Sequence, residues 1–140
     1  MKLKIEVDDR EDSKMLKILE RVNVIPVVKR LKVGDYVHDE VCIERKTIDD
    51  FCNSIIDGRL REQIKRMEKT YKKNFILISK GIGQRKSEVH EHVVLANIAS
   101  ICARTDVCVL MFDDDYQLAY CMIKIFEKYE DEKKKERRLK

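Results

Sequence analysis

The sequence predicts an α/β fold in which a mixed β-sheet lies between helices. Two observations carry that expectation. Short β-branched or apolar runs at 3–7, 24–28, 41–46, 75–79 and 107–112 alternate with longer stretches of helical periodicity. A chain of 140 residues, 44% of them apolar, also suits one domain with one compact core.

LKIEV (3–7) reads as a strand that ends at Asp8-Asp9-Arg10-Glu11 and so delivers charge at its C-terminal end. Ser13 is placed to cap a first helix, with Leu16, Leu19 and Val22 at helical spacing. VIPVV (24–28) is a second strand, which Pro26 confines to an edge or a bulge. Gly34 turns the chain into a hairpin through His38-Asp39-Glu40 to the strand VCIERK (41–46). Thr47 and Asp50 have capping-box spacing and open a helix reaching Ile56. Gly58 ends it in a left-handed conformation, and the next helix spans about 60–71. FILIS (75–79), the most apolar strand, belongs at the sheet centre. KGIGQRKSE (80–88) is a flexible basic loop, and 93–103 a helix apolar nearly all round. VCVLMF (107–112) is a final buried strand. A last helix over 116–129 carries a wide stripe of Leu118, Ala119, Met122, Ile123, Ile125, Phe126 and Tyr129. The folded domain is expected at 1–130, followed by a charged basic tail at 131–140.

Charged residues make up 40% of the chain, yet the net charge is only +4. The tail DEKKKERRLK holds six Lys/Arg against three Asp/Glu, so the body is close to neutral and any nucleic-acid surface must be local. No stretch approaches the ~20 apolar residues of a membrane span, so no membrane partner is expected. MKLKIEV lacks a signal-peptide core. Cys42, Cys52, Cys102, Cys108 and Cys121 are scattered without C-x-x-C, which points to reduced, mostly buried thiols in an intracellular protein.

The stretch GDYVHDEVCIERKTIDDF (34–51) packs charge into strand-like sequence. Buried unpaired charge costs several kcal/mol, so this charge sits on a solvated rim or in a working site. Residues two apart on a strand share a face: Glu44 and Lys46 project together, Arg45 projects opposite, and Asp35 can lie across from them. An acidic residue, a Glu and a Lys converging at a sheet edge form the arrangement of PD-(D/E)xK nucleases. There, two carboxylates hold Mg²⁺, while the lysine orients a water or offsets charge on phosphorus.

The longer pattern is more specific. Gly34-Asp35, Glu44-Arg45-Lys46 and Asp50 reproduce G-D-x(n)-E-R-K-x(3)-D, and the chain resembles the XPF/Hef-type structure-specific DNA endonucleases that carry it. Val7-Asp8-Asp9-Arg10-Glu11 is similar to the family's V-D-x-R-E. Ile55-Ile56-Asp57-Gly58-Arg59-Leu60 with Gln63 is similar to its I-x-D/N-G-R-L-x-x-Q. The resemblance covers about residues 3–130 and implies a restriction-endonuclease-like mixed β-sheet flanked by helices. It implies Asp35 and Glu44 as the main ligands for Mg²⁺ or Mn²⁺, with Asp8 a further acidic group at the metal that helps shape the site, and Lys46 as the catalytic lysine in a catalytic set with Asp35, Glu44 and Arg45. Arg45 would brace the site or reach DNA, and Asp50 would support the site. Arg59 and Gln63, joined by Arg10 and Arg66, would meet the DNA backbone. The implied activity is cutting one strand near single-strand/duplex junctions, as in 3′ flaps, forks and other repair or recombination intermediates. The implied partners are branched DNA and a second subunit, identical or related, paired through the C-terminal helices.

Plainer roles stand beside these. Asp50 and Thr47 can serve as a helix cap alone, Asp8 and Glu11 can cap the first helix, and Arg66 can be a surface arginine. His90-Glu91-His92 is expected to be a polar helix start, its histidines pointing apart, and not a zinc site. Asp113-Asp114-Asp115 likewise suits a helix N-terminus. The 80–88 loop either solvates the surface or tracks phosphates. A catalytically silent partner subunit would have lost Glu or Lys from E-R-K, and junction resolvases lack Arg45 and the Asp50 spacing. The helix-hairpin-helix module of full-length relatives is missing, so an excised domain or one that works with a partner is expected, with weak, salt-sensitive DNA binding.

Overall fold

The structure, a computed structural model, describes residues 2–139. Six strands form one mixed sheet: β1 (Leu3–Asp8), β2 (Val24–Lys29), β3 (Tyr36–His38), β4 (Val41–Thr47), β5 (Lys73–Ser79) and β6 (Val107–Phe112). Their order is β2-β1-β3-β4-β5-β6. The pairs β1–β2, β4–β5 and β5–β6 are parallel, while β3 runs antiparallel to both β1 and β4. The helices are α1 (Ser13–Glu20), α2 (Ile48–Ile56), α3 (Arg59–Thr70), α4 (Glu91–Arg104) and α5 (Asp115–Leu139), with a 3₁₀ turn at Ile82–Gln84.

Strand alternation sorts the core into two layers. Val41 and Ile43 of β4 pack with Ile5, Val7, Tyr36 and Leu77 under α1 and α5, against Leu19, Leu118, Met122 and Phe126. Cys42 faces the other way and packs with Ile76 and Ile78 under α2, α3 and α4, against Phe51, Ile64, Val94 and Ile101. Burying each large aliphatic side chain contributes about 1.5–3 kcal/mol. The same alternation, carried past Ile43, sends Glu44 and Lys46 to the α2–α3 side and Arg45 to the α1–α5 side.

Gly34 places the site residue that follows it. Its φ of +81° is left-handed, and a Cβ there would run into the sulfur of buried Cys42, so only glycine fits. Beyond this turn the Asp35 N–H donates to Ile43 O at 2.9 Å, and Asp35 O accepts from Asp8 N at 2.9 Å. Asp35 is thereby stitched between β1 and β4.

Several expectations change. The cap of α1 is Asp12, which accepts from the Lys14 N–H, and Val22 lies beyond the helix, exposed. β2 is the edge strand that Pro26 demands, but β5 is one place in from the other edge, with β3 and β4 in the middle. Apolar residues on both faces of β5 reflect helices on both sides, and this does not fix lateral position. β6 is an edge strand with Val107 buried and Cys108 exposed, and α4 buries only Val94 and Ile101. Of the five thiols, Cys42 and Cys52 are buried, Cys121 is half-buried, and Cys102 and Cys108 are exposed.

The stretch 131–139 is helical, continuous with α5, so no structural break falls at residue 130; Lys140 lies outside the described residues. Its Lys/Glu-rich sequence favours helix, Lys135 pairs with Glu132 at 3.3 Å, and Tyr129 and Lys133 both reach Asp39 on the β3–β4 turn. The 80–88 loop is pinned too, because Asp49 Oδ1 accepts from the Lys86 and Ser87 N–H groups at 2.9 Å each. Arg85 is spent on the carbonyls of Ile82 and Val89. His90 is the N-cap of α4 and not a helical residue, which lets its ring meet that of His92 with centroids 4.8 Å apart.

Candidate active site

The C-terminal half of β4, the β1–α1 junction, the turn before β3 and one face of α3 enclose a cleft of about 410 Å³. Asp8, Arg10, Glu11, Asp35, Glu44, Lys46, Asp50, Arg59, Gln63 and Arg66 all line it. Its walls are mostly polar because the strand faces that bury Cys42 and Ile43 end here, where the helices splay apart.

Asp35 and Glu44 stand side by side at its floor. Burial, followed by the charges of Glu44 and Glu11, pushes the Asp35 carboxyl well above the ordinary carboxylate range. The Arg45 backbone N–H opposes this by donating to Asp35 Oδ2 at 2.8 Å. Burial also raises Glu44, against the pull of Lys46, whose ammonium lies 4.0 Å from Glu44 Oε1. Lys46 is itself buried. Two carboxylates that resist ionising together, beside a buried ammonium, form a site that a hard divalent cation would relieve. Among the described residues no three acidic, His or Cys side chains converge on one point.

Asp8 is differently occupied. It is 3% exposed, and its oxygens accept from Arg10 Nε at 2.7 Å, Arg10 Nη2 at 3.2 Å and Leu31 N at 2.9 Å. Burial raises its pKa, but the Arg10 pair and these hydrogen bonds outweigh that and hold it below the ordinary value. Arg10 also donates to Leu31 O at 2.9 Å, so it clamps the end of β1 while its side chain stays exposed at the rim.

Arg45 leaves the face of β4 opposite to Glu44 and Lys46, yet it too lines the cleft, beside Glu11. Its Nε donates to Glu11 Oε1 at 3.0 Å, and its Nη1 lies 3.5 Å from Asp115 Oδ1. Asp50 closes the capping box, donating its N–H to Thr47 Oγ1 at 3.0 Å and accepting from Thr47 N at 3.3 Å, while also lining the cleft. On α3, which begins at Arg59, the side chains of Arg59, Gln63 and Arg66 share one face over the cleft. Arg59 pairs with Asp57 at 3.1 Å on the surface and Arg66 is exposed. The Gln63 Oε1 is buried without a hydrogen-bond partner in the protein.

The family model described as the ERCC4 domain matches residues 7–124. This chain belongs to the ERCC4 domain family. The ERCC4 domain is 39% identical, over 95% of its length, to a Methanocaldococcus jannaschii protein named as an ATP-dependent RNA helicase, of which it covers 16%. It is 31% identical, over 99% of its length, to the 3′-flap repair endonuclease Xpf of Saccharolobus solfataricus, of which it covers 61%. The chain therefore spans less than two thirds of either relative. XPF from Aeropyrum pernix, solved in complex with DNA, superposes with a TM-score of 0.85 at 29% identity, over 93% of this chain and 66% of that one.

Two residues of the ERCC4 domain site carry little sequence signal. Glu11 is visible only as the last letter of the V-D-x-R-E stretch, with nothing to say that its partner is Arg45. Asp115 carries none, since an acid at a helix start is ordinary and its neighbour in space lies 70 residues away.

Proposed function

We propose that this ERCC4 domain is the catalytic module of a divalent-metal-dependent, structure-specific DNA endonuclease. It would cut one strand near single-strand/duplex junctions such as 3′ flaps and forks. The observation that carries this reading is the meeting of Asp35, Glu44 and Lys46 on one cleft floor. The substrate class is supported by the flap endonuclease relative and by the DNA-bound structural neighbour.

Asp35 and Glu44 would hold Mg²⁺ or Mn²⁺. When bound, such a cation polarises the phosphate and lowers the pKa of water. Lys46 orients the attacking water and offsets charge on the phosphate. Arg45 acts from behind the strand by holding Asp35 through its backbone N–H. Asp8, with both oxygens engaged, shapes the site, and Asp50 fixes the start of α2 at its rim. Arg59, Arg66 and Arg10 meet phosphates along the strand, with Gln63 beside Arg59 and Arg66 on the same face of α3.

Pairing with a second subunit, identical or related, is part of the same proposal. Val93 and Leu95 of α4 and Tyr116 and Tyr120 of α5 are exposed, and edge strand β6 between them offers a half-exposed apolar row from Val109 to Phe112. Exposed apolar side chains on both helices flanking an edge strand suit a protein interface. The described residues contain no helix long and apolar enough to cross a membrane. An intracellular location with the DNA completes the reading.

The test uses an end-labelled 3′-flap duplex with Mg²⁺ or Mn²⁺, beside linear duplex and single strand. Discrete cuts near the junction, abolished in Asp35→Ala and Lys46→Ala, are the expected result. Intact substrate with either metal would overturn the reading.

A further inference from the structure

We infer that Asp115, the first residue of α5, is a positioning residue that acts through Arg45 on Asp35, so that the seating of α5 sets the geometry of the carboxylate pair. The kinetic part of this inference rests on the nuclease reading; the structural link does not.

Arg45 has two handles pointing in opposite directions. On the cleft side its backbone N–H holds Asp35 Oδ2 at 2.8 Å. At its other end its guanidinium lies between Glu11 Oε1 at 3.0 Å and Asp115 Oδ1 at 3.5 Å, with Glu11 itself at the cleft. These three side chains are only 13%, 11% and 18% exposed, so the contact is a largely desolvated triad and not a surface ion pair. Arginine stays charged at any working pH, and its planar fork demands fixed partners. Asp115 Oδ2 also meets Lys14 Nζ of α1 at 3.5 Å. The Arg45 guanidinium thus ties β4 to the β1–α1 junction and α5, and Asp115 in turn ties α5 to α1 through Lys14. Losing Asp115 leaves Glu11 alone to hold the guanidinium of the residue whose backbone N–H fixes Asp35, and by this inference the change reaches the N–H.

The placement of Asp115 gives the link a use. Tyr116 and Tyr120, exposed on α5, begin one residue further on. Whatever docks on that face presses on the residue that anchors Arg45.

The experiment compares wild type, Asp115→Asn, Asp115→Glu, Arg45→Lys and the Asp115→Asn/Arg45→Lys double variant, each first shown to be folded by its thermal melt. Two readouts follow: the Arg45 backbone amide resonance in the metal-free protein, and kcat and KM on flap DNA. Asp115→Asn should shift the Arg45 amide while leaving that of Val107 in place. It should also lower kcat about tenfold to a hundredfold with KM little changed. Asp115→Glu should restore both, and Asp115→Asn should add little in the Arg45→Lys background. An unmoved Arg45 amide, or kcat losses that multiply independently, would overturn the inference. A wild type that cuts nothing while its Arg45 amide still responds would sink the nuclease reading and leave the positioning link standing.

Discussion

At the residue scale, the site is a place where the metal-free fold is working against itself. Asp35 is raised by burial and by Glu44 and Glu11. With its folded pKa raised to about 9, Asp35 stays protonated at pH 7 while the unfolded chain ionises, so this carboxyl draws the equilibrium toward unfolding as pH rises above the ordinary carboxylate range. That cost fades as pH falls below the ordinary carboxylate range. Asp35→Asn keeps an oxygen for the Arg45 N–H and cannot ionise in either state. It should stabilise the metal-free protein by roughly 0.5–2 kcal/mol at pH 7, and the gain should shrink at pH 4. Urea unfolding at the two pH values measures this, and an unchanged or lowered midpoint at pH 7 would count against it. Much of this site was legible in sequence, since the Glu44–Lys46 alternation follows from strand geometry alone. The engagement of Asp8 by Arg10 and Leu31 was not, because nothing local says which of Asp8 and Asp9 turns inward.

At the element scale, most capping and turn chemistry was readable where a single residue decides it, the exception being the cap of α1, which is Asp12 and not the neighbouring Ser13. Pro26 puts β2 at the edge, Gly58 takes φ +73°, and Thr47 with Asp50 forms the capping box. Lateral order in the sheet and the length of α5 were not readable, since both depend on contacts distant in sequence. What seats the end of α5 is Asp39, at φ +53° on the β3–β4 turn, which accepts from Tyr129 and Lys133 while His38 meets Glu130 at 2.8 Å. Asp39→Ala should therefore fray residues beyond about 129 and leave the cleft intact. Hydrogen exchange should show faster exchange across 130–138 with rates in β4 and β5 unchanged. Unchanged exchange throughout α5 would show that its own helix propensity suffices.

At the scale of the whole molecule, the two working surfaces lie on different parts of one sheet. The cleft opens where β4 ends, and the apolar surface of α4, β6 and α5 lies along the opposite edge from β2. Replacing Tyr120 and Leu95 with Glu should convert dimer to monomer in analytical ultracentrifugation without moving the melting temperature by more than a few degrees, as both side chains are already exposed. A monomeric wild type would remove the dimer from the account. Net charge explains why bulk composition says little about DNA: the basic groups proposed to meet it, Arg10 at the β1–α1 junction and Arg59 and Arg66 on α3, are gathered around one cleft by two separate segments.

The central claim is that Asp35 and Glu44 are held together because they share a divalent cation. Calorimetric titration with Mn²⁺, repeated in buffers of different ionisation enthalpy, tests it directly. The account predicts binding with net proton release, because a carboxyl held above its ordinary range must ionise to ligate. That binding should be lost in both Asp35→Asn and Glu44→Gln. Equal Mn²⁺ affinity in wild type and both variants would contradict it.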